Sequence, residues 1–169
     1  IVTKREVVLI KNIMIIDDDV SIGNMLEEAL AREGFRVSRA YSGTEALLYL
    51  EANRPDLILL DLMLPGITGE TLIEQIRGEY TMPILVISAK GQEDKLKVLR
   101  MGADDFISKP FDVEEVIARV QAQLRRYTQF SIHKQEAGKL RFKQMTLDTD
   151  AREVRIQGKR VAFTSHEFD

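Results

Sequence analysis

Short apolar runs alternate with amphipathic stretches about five times between residues 12 and 127. This alternation predicts βα units that build a parallel sheet with helices on both faces. The first, third and fourth runs are almost wholly apolar and favour the centre of the sheet, whereas the second alternates and the fifth begins with two acids, which favours the edges. The predicted strands are Asn12–Ile16, Phe35–Ala40, Asp56–Leu60, Pro83–Ser88 and Asp104–Ser108.

Polar residues and glycines indicate where the intervening helices begin and end. Ser42-x-x-Glu45 and Asp112-x-x-Glu115 are patterns typical of capping boxes at helix starts. The helix that starts at Asp112 is predicted to end near Tyr127. Glycines that predict helix ends are Gly34, Gly78 and Gly102.

The pattern changes after this helix. Residues 128–138 lack clear periodicity and are predicted to form a linker. Four short strand-like pieces within residues 139–169 predict a short antiparallel β platform, which can bury little core by itself. Thr164-x-x-Glu167 is typical of a further helix start, so we interpret residues 139–169 as a truncated part of a larger domain. Residues 1–11 are interpreted as an N-terminal extension.

Composition narrows the class of protein. No apolar run approaches the roughly 18 residues of a membrane-spanning helix, so we expect a soluble protein with no membrane partner. The absence of cysteine excludes disulfides and thiolate metal sites and fits a cytoplasmic location, so any metal must be bound by oxygen. Residues 128–169 carry 8 basic and 6 acidic side chains, an excess too small to predict nucleic-acid binding from charge.

Polar residues that could carry chemistry follow the predicted strands. In an open parallel sheet, ligands bind outside the carboxyl ends of the strands. Asp17 and Asp18 follow the first strand, Asp61 the third, Ser88 ends the fourth and Lys109 follows the fifth. If the strand order is 2-1-3-4-5, the first and third strands are neighbours and bring the three aspartates together.

Three clustered carboxylates repel one another unless a cation neutralises them or some stay protonated. Mg²⁺ is the natural partner, because it prefers oxygen ligands and commonly lies between carboxylates and a phosphate. One carboxylate could then attack phosphorus and form an acyl phosphate. Lys109 could supply opposing charge and Ser88 a hydroxyl donor to a phosphoryl oxygen.

Four segments, IIDDD, LLDLMLPGITG, VISAK and GADDFISKPF, resemble in order and spacing the signature segments of response regulator receiver domains. The resemblance covers residues 12–127 and implies a flavodoxin-like, doubly wound sheet of order 2-1-3-4-5. It implies that Asp61 is the phosphoacceptor, that Asp17 and Asp18 are the acidic pair at a bound Mg²⁺, and that Met63 offers its backbone carbonyl to the ion. The remaining implied roles are the switch hydroxyl, the switch aromatic residue and the lysine of the site, at Ser88, Phe106 and Lys109.

Residues 139–169 resemble the first strands of OmpR/PhoB-type winged-helix regulators. This resemblance implies a transcription regulator that takes its phosphoryl group from a sensor histidine kinase, acts as a phosphoacceptor rather than an enzyme, and forms a homodimer on phosphorylation. DNA binding is expected only of the intact protein, because the recognition helix would lie beyond this segment. The residues hypothesised to pair between two copies are Lys95 with Glu115, and Asp104 or Asp105 with Arg119.

Two other functions fit parts of the pattern. Asp17-x-Asp19, Ser88 and Lys109 would suit a haloacid-dehalogenase-like phosphatase, although that interpretation leaves Asp61 without a role. A receiver-like interaction module that accepts no phosphoryl group is the other alternative.

Overall fold

The structure, a computed structural model, describes residues 9–137 and four later segments, 139–142, 145–148, 153–156 and 159–161. The chain divides into two compact units, Ile1–Leu124 and Arg125–Asp169. Most of the predicted N-terminal extension and the Thr164-x-x-Glu167 pattern lie outside the described residues. Among the described helices, none is long and apolar enough to cross a membrane.

Five parallel strands, the helices between them and the first part of the last helix make up the first unit. The elements are β1 Asn12–Ile16, α1 Val20–Arg32, β2 Arg36–Ala40, α2 Gly43–Ala52, β3 Leu57–Leu60, α3 Gly69–Glu79, β4 Ile84–Ser88, α4 Gln92–Met101, β5 Asp105–Ser108 and α5 Val113–Ala137. The strand order is β2-β1-β3-β4-β5, which confirms the predicted flavodoxin-like fold with the second and fifth strands at the edges.

Two hydrophobic cores cover the two faces of this sheet, because successive side chains of a strand point to opposite faces. Met14 of β1 and Val86 of β4 pack with α2, α3 and α4 on one face. Ile15 of β1 and Leu85 of β4 pack with α1 and α5 on the other. The central strands β3 and β4 are buried along their whole length, as their apolar sequences predict.

Helix starts follow the local sequence closely. Asp19 accepts a hydrogen bond from the Ile22 N–H at 3.0 Å and caps α1. Ser42 caps α2 in the predicted way, because its Oγ accepts from the Glu45 N–H at 3.2 Å. The second predicted capping box forms only in part: Asp112 accepts from the N–H of Glu114, two residues on, at 2.9 Å.

Helix ends agree less well with the sequence. Gly102 ends α4 in a left-handed conformation (φ 118°), which glycine adopts without steric cost. Gly34 has φ 86° just after α1, as predicted. The prediction that α3 stops at Gly78 is wrong, because the helix continues to Glu79.

The prediction that the last helix ends near Tyr127 is also wrong, since α5 continues to Ala137. Residues 128–137 are therefore helical where a linker was predicted. The stretch contains no glycine or proline that would stop a helix, and the first glycine after the helix start is Gly138. Absence of an apolar stripe predicts little burial, but it does not by itself prevent a helix.

The described segments of the second unit after α5 are the strands β6 Lys139–Phe142, β7 Met145–Asp148, β8 Glu153–Ile156 and β9 Lys159–Val161. They form an antiparallel sheet of order β6-β7-β8-β9, as the strand-like pieces predicted.

Candidate functional site

Three aspartates meet at the carboxyl edge of the parallel sheet. Asp17 and Asp18 follow β1 and Asp61 follows β3, and carboxylate oxygens of all three lie within 4.8 Å of one another. Backbone hydrogen bonds extend the sheet to these residues: the Asp61 N–H donates to Ile16 O at 2.9 Å. Asp17 is 4% exposed and Asp61 6% exposed, whereas Asp18 faces solvent. The cluster is thus partly buried but open on one side.

Lys109 brings a positive charge to this cluster from the end of β5. Its Nζ lies 2.6 Å from Asp61 Oδ2 and 3.4 Å from Asp17 Oδ2. The Lys109 N–H donates to Ser88 O at 2.9 Å, and the Lys109–Pro110 peptide bond is cis. Burial by itself lowers the pKa of Lys109, but the hydrogen bond to Asp61 and the charges of Asp61 and Asp17 outweigh burial and raise it. The ammonium is therefore charged at neutral pH.

The carboxylates have more negative charge than Lys109 can balance. Burial, the largest effect, raises the pKa of Asp17, and the nearby Asp61 charge also raises it, although the Asp19 N–H at 2.8 Å and the Lys109 ammonium act in the opposite direction. Three carboxylates and one ammonium leave an excess that a divalent cation can neutralise. Carboxylate oxygens are the ligands that Mg²⁺ prefers, so the residues at this edge fit a metal site.

Asp61 has both carboxylate oxygens engaged. Oδ2 accepts from the Lys109 ammonium, and Oδ1 accepts from the Met63 N–H at 2.9 Å. Met63 as a whole is 60% exposed, and its hydrogen bond to the acceptor comes from its backbone. These contacts hold the carboxylate in one orientation beside the other two aspartates.

Ser88 and Phe106 lie on the neighbouring strands. Ser88 ends β4, is fully buried, and its Oγ accepts from the Lys90 N–H at 3.3 Å. Phe106 stands opposite Val86 in the pairing of β5 with β4 and is only 4% exposed, packed in the core that α2, α3 and α4 cover. The structure therefore places Ser88 at the carboxyl edge and Phe106 inside the core.

Four of the residues hypothesised to pair between two copies, Asp104, Asp105, Glu115 and Arg119, have ion-pair partners within one chain. Arg119 lies 2.9 Å from Asp105 and 2.7 Å from Glu115. Asp104 is separate from Arg119, since its carboxylate lies 2.6 Å from Arg77. Lys95 has no ion pair within residues 9–137. Pairing between copies would therefore have to replace or add to the contacts of Arg119.

Two residues near the site were given no role by the sequence. Glu70 is the second residue of α3, and Lys90 follows β4 in the segment VISAK; their side chains form an ion pair. Lys90 stood in a signature segment, but nothing in that segment indicated its partner. Their contact joins elements 20 residues apart in the chain.

Comparison with known proteins defines the class. The chain belongs to the response regulator receiver domain family, which matches residues 13–121. A putative response regulator from Chloroflexus aurantiacus is 37% identical, with a TM-score of 0.65 over 69% of this chain and 99% of that one. The receiver domain of Francisella response regulator 1452 is 30% identical, with a TM-score of 0.67 over 69% of this chain and 98% of that one.

A further solved structure extends the likeness to most of the chain. The response regulator DrrB, described as a Thermotoga maritima OmpR/PhoB homolog, is 26% identical with a TM-score of 0.65 over 95% of this chain and 70% of that one. The family match supports a phosphoacceptor role and gives no support to the haloacid-dehalogenase-like interpretation, which left Asp61 without a role.

Proposed function

We propose that this chain is part of a two-component response regulator and that Asp61 accepts a phosphoryl group from a sensor histidine kinase. The observation that carries the proposal is the placement of Asp61, buried next to Asp17 and Asp18 and 2.6 Å from the Lys109 ammonium. The Lys109 ammonium beside this carboxylate can bind the oxygens of an incoming phosphoryl group. The carboxylate also lies at the edge of the sheet that is open to a phosphodonor.

The ligands of Mg²⁺ would be Asp18, Asp61 and the Met63 backbone carbonyl, with Asp17 close by or bound through water. When bound, Mg²⁺ offsets negative charge on the transferring phosphoryl group. The proposal is supported by the three carboxylates of the cluster and by the position of Met63, whose N–H already donates to Asp61.

In the proposed reaction, a carboxylate oxygen of Asp61 attacks phosphorus while the P–N bond of the kinase phosphohistidine breaks. The electron pair of that bond remains on the histidine nitrogen, and an acyl phosphate forms on Asp61. Lys109 then pairs with a phosphoryl oxygen, and the Ser88 hydroxyl donates to another. The chain acts as a phosphoacceptor whose own chemistry is limited to phosphotransfer and hydrolysis of the acyl phosphate.

The new charge of about −2 would change the balance between two states of the domain. Movement of Ser88 towards the phosphoryl group makes room beside β5. Because Phe106 is already buried, we propose that phosphorylation stabilises this inward position rather than creating it. The surface of α4, β5 and α5 would then form the homodimer, with Lys95 opposite Glu115 and Asp105 opposite Arg119; Asp104 is the weaker choice, because Arg77 holds its carboxylate.

In the intact protein, we propose that this dimer controls transcription by placing two winged-helix domains on DNA. The likeness to the OmpR/PhoB homolog DrrB, which extends over 95% of this chain, supports this assignment.

Intact mass spectrometry after incubation with acetyl phosphate and Mg²⁺ tests the phosphoacceptor. We expect a gain of about 80 Da, one phosphoryl group, that is absent in Asp61→Asn and in a sample with EDTA. Asp61→Asn keeps the size and hydrogen-bonding oxygen of the side chain, so circular dichroism should show the same fold. If the folded wild-type chain gains no mass, the receiver-like interaction module is the better interpretation.

A further inference from the structure

The ion pair between Glu70 and Lys90 lies beside the site but has no part in the mechanism above. Lys90 Nζ and Glu70 Oε1 are 2.5 Å apart, and the side chains are 31% and 12% exposed. Burial by itself raises the pKa of Glu70, but the hydrogen bonds from Lys90 and from the Glu70 N–H, with the charges of Lys90 and Lys97, together outweigh it and lower that pKa; the hydrogen bond between the two side chains also raises the pKa of Lys90. Both groups are charged at neutral pH, and the contact is more enclosed than an ordinary surface pair.

The Glu70 end of this pair is attached to the backbone of the phosphoacceptor segment. Gly69, the residue before it, donates its N–H to Leu62 O at 3.1 Å. A Cβ on Gly69 would lie 2.5 Å from Leu62 Cα and 2.9 Å from Asp61 O, so the first turn of α3 is in close contact with this backbone. Glu70 therefore has a position that is set directly by the Asp61–Leu62 segment.

The Lys90 end is attached to Ser88. The Lys90 N–H donates to Ser88 Oγ at 3.3 Å, which is long for such a bond and makes it sensitive to small shifts of the loop between β4 and α4. A hydroxyl that accepts one hydrogen bond keeps its own proton for donation to another acceptor. The position of the Lys90 backbone thus influences which way the Ser88 proton points.

We propose that Glu70 is a positioning residue for phosphoryl transfer to Asp61. By binding the Lys90 ammonium, Glu70 ties the loop after β4 to the first turn of α3, and this holds the Ser88 hydroxyl ready to donate to a phosphoryl oxygen. The inference rests on the proposed phosphoacceptor function and adds to it a residue that touches neither phosphate nor metal.

Two single variants and one double variant separate positioning from a general effect on the fold. Glu70→Gln and Lys90→Met each remove the ion pair, and Lys90→Met leaves the backbone N–H that contacts Ser88 in place. The exchanged pair, Glu70→Lys with Lys90→Glu, restores it with the charges reversed. Glu74→Gln is the matched control, since this exposed glutamate lies one turn further along α3. Urea unfolding identifies any variant that fails to fold.

The first readout needs no phosphodonor. Hydrogen exchange of the Lys90 backbone amide, followed by NMR, should become several-fold faster in Glu70→Gln and Lys90→Met and return towards the wild-type rate in the double variant. The second readout is the initial rate of mass gain with acetyl phosphate and Mg²⁺. We expect it to fall about fivefold in both single variants, to recover in large part in the double variant, and to stay unchanged in Glu74→Gln.

The outcomes distinguish this inference from the proposed function. A wild-type chain that takes up phosphoryl groups, together with unchanged rates in folded Glu70→Gln and Lys90→Met, would overturn the positioning role alone. A rate loss in Glu70→Gln that the double variant does not restore would also overturn it, because the effect would not then depend on the pair. A wild-type chain that gains no mass would remove the phosphoacceptor function and the positioning role with it.

Discussion

Gly69→Ala tests the close contact between α3 and the phosphoacceptor backbone. The added Cβ would lie 2.5 Å from Leu62 Cα and 2.9 Å from Asp61 O, both of them backbone atoms that cannot turn aside. Overpacking of this kind costs about 1–3 kcal/mol, and the better helix propensity of alanine offsets at most about 1 kcal/mol of it. We expect a net loss of about 1.5 kcal/mol in the free energy of unfolding, together with slower phosphoryl uptake, because the helix must move away from Asp61.

The matched control is Gly78→Ala in the same helix. No atom lies within 4 Å of a Cβ at Gly78, so the same chemical change should stabilise the protein by about 0.5 kcal/mol through helix propensity alone. Urea titrations of the wild type and both variants, fitted with one common slope of the unfolding free energy against urea concentration, give both differences in the free energy of unfolding. If Gly69→Ala is as stable as the wild type, or shifts in the same direction as Gly78→Ala, the close approach of α3 to the Asp61 backbone is refuted.

Three further changes test other parts of the structure. Asp17→Asn should raise the free energy of unfolding at pH 7 in EDTA, because burial raises the pKa of Asp17 and disfavours its charged form in the folded state. This gain should disappear as the pH falls through the pKa of Asp17 in the folded state towards its ordinary value of 3.8. Urea titrations that give equal gains at neutral and acidic pH would contradict this prediction. Arg77→Met should cost about 3 kcal/mol in the same assay, since it removes the donor to three backbone carbonyls and one of the two donors to the Asp104 carboxylate, and Arg77→Lys should recover little of it. Arg119→Glu should abolish phosphorylation-driven dimerisation in sedimentation velocity without changing phosphoryl uptake; an unchanged dimer would exclude the proposed pairs.

Most of the site could be predicted from local patterns. Apolar runs indicated the five strands, and the rule that parallel strands end at one edge predicted that Asp17, Asp18 and Asp61 would meet there, close to Lys109. The structure has these four together, with Lys109 2.6 Å from Asp61. The prediction worked because strand periodicity and strand ends are properties of short segments.

The failures concern the ends of two helices. Gly78 is followed by one more helical residue, because a single glycine weakens a helix without stopping it. Helix α5 runs on to Ala137, because residues 128–137 contain no glycine or proline that would end it. The hypothesis that pairs Asp104 or Asp105 with Arg119 of a second copy stays a prediction; within one chain, Asp104 contacts Arg77 and Asp105 contacts Arg119.

The sequence alone determined the five strands, the helix start at Ser42 and the set of charged residues at the carboxyl edge, and its resemblance to receiver domains implied the sheet order. Only the tertiary structure decided that Glu70 and Lys90 form an ion pair. It alone also decided that position 69 has no room for a side chain, because α3 contacts the backbone of the phosphoacceptor segment there. Hydrophobic periodicity and helix capping depend on residues that are close together in the sequence, so both can be predicted from the sequence. Contacts between a helix and a loop that is distant in sequence depend on how the helices pack on the sheet. No pattern in a short segment of the sequence predicts that packing.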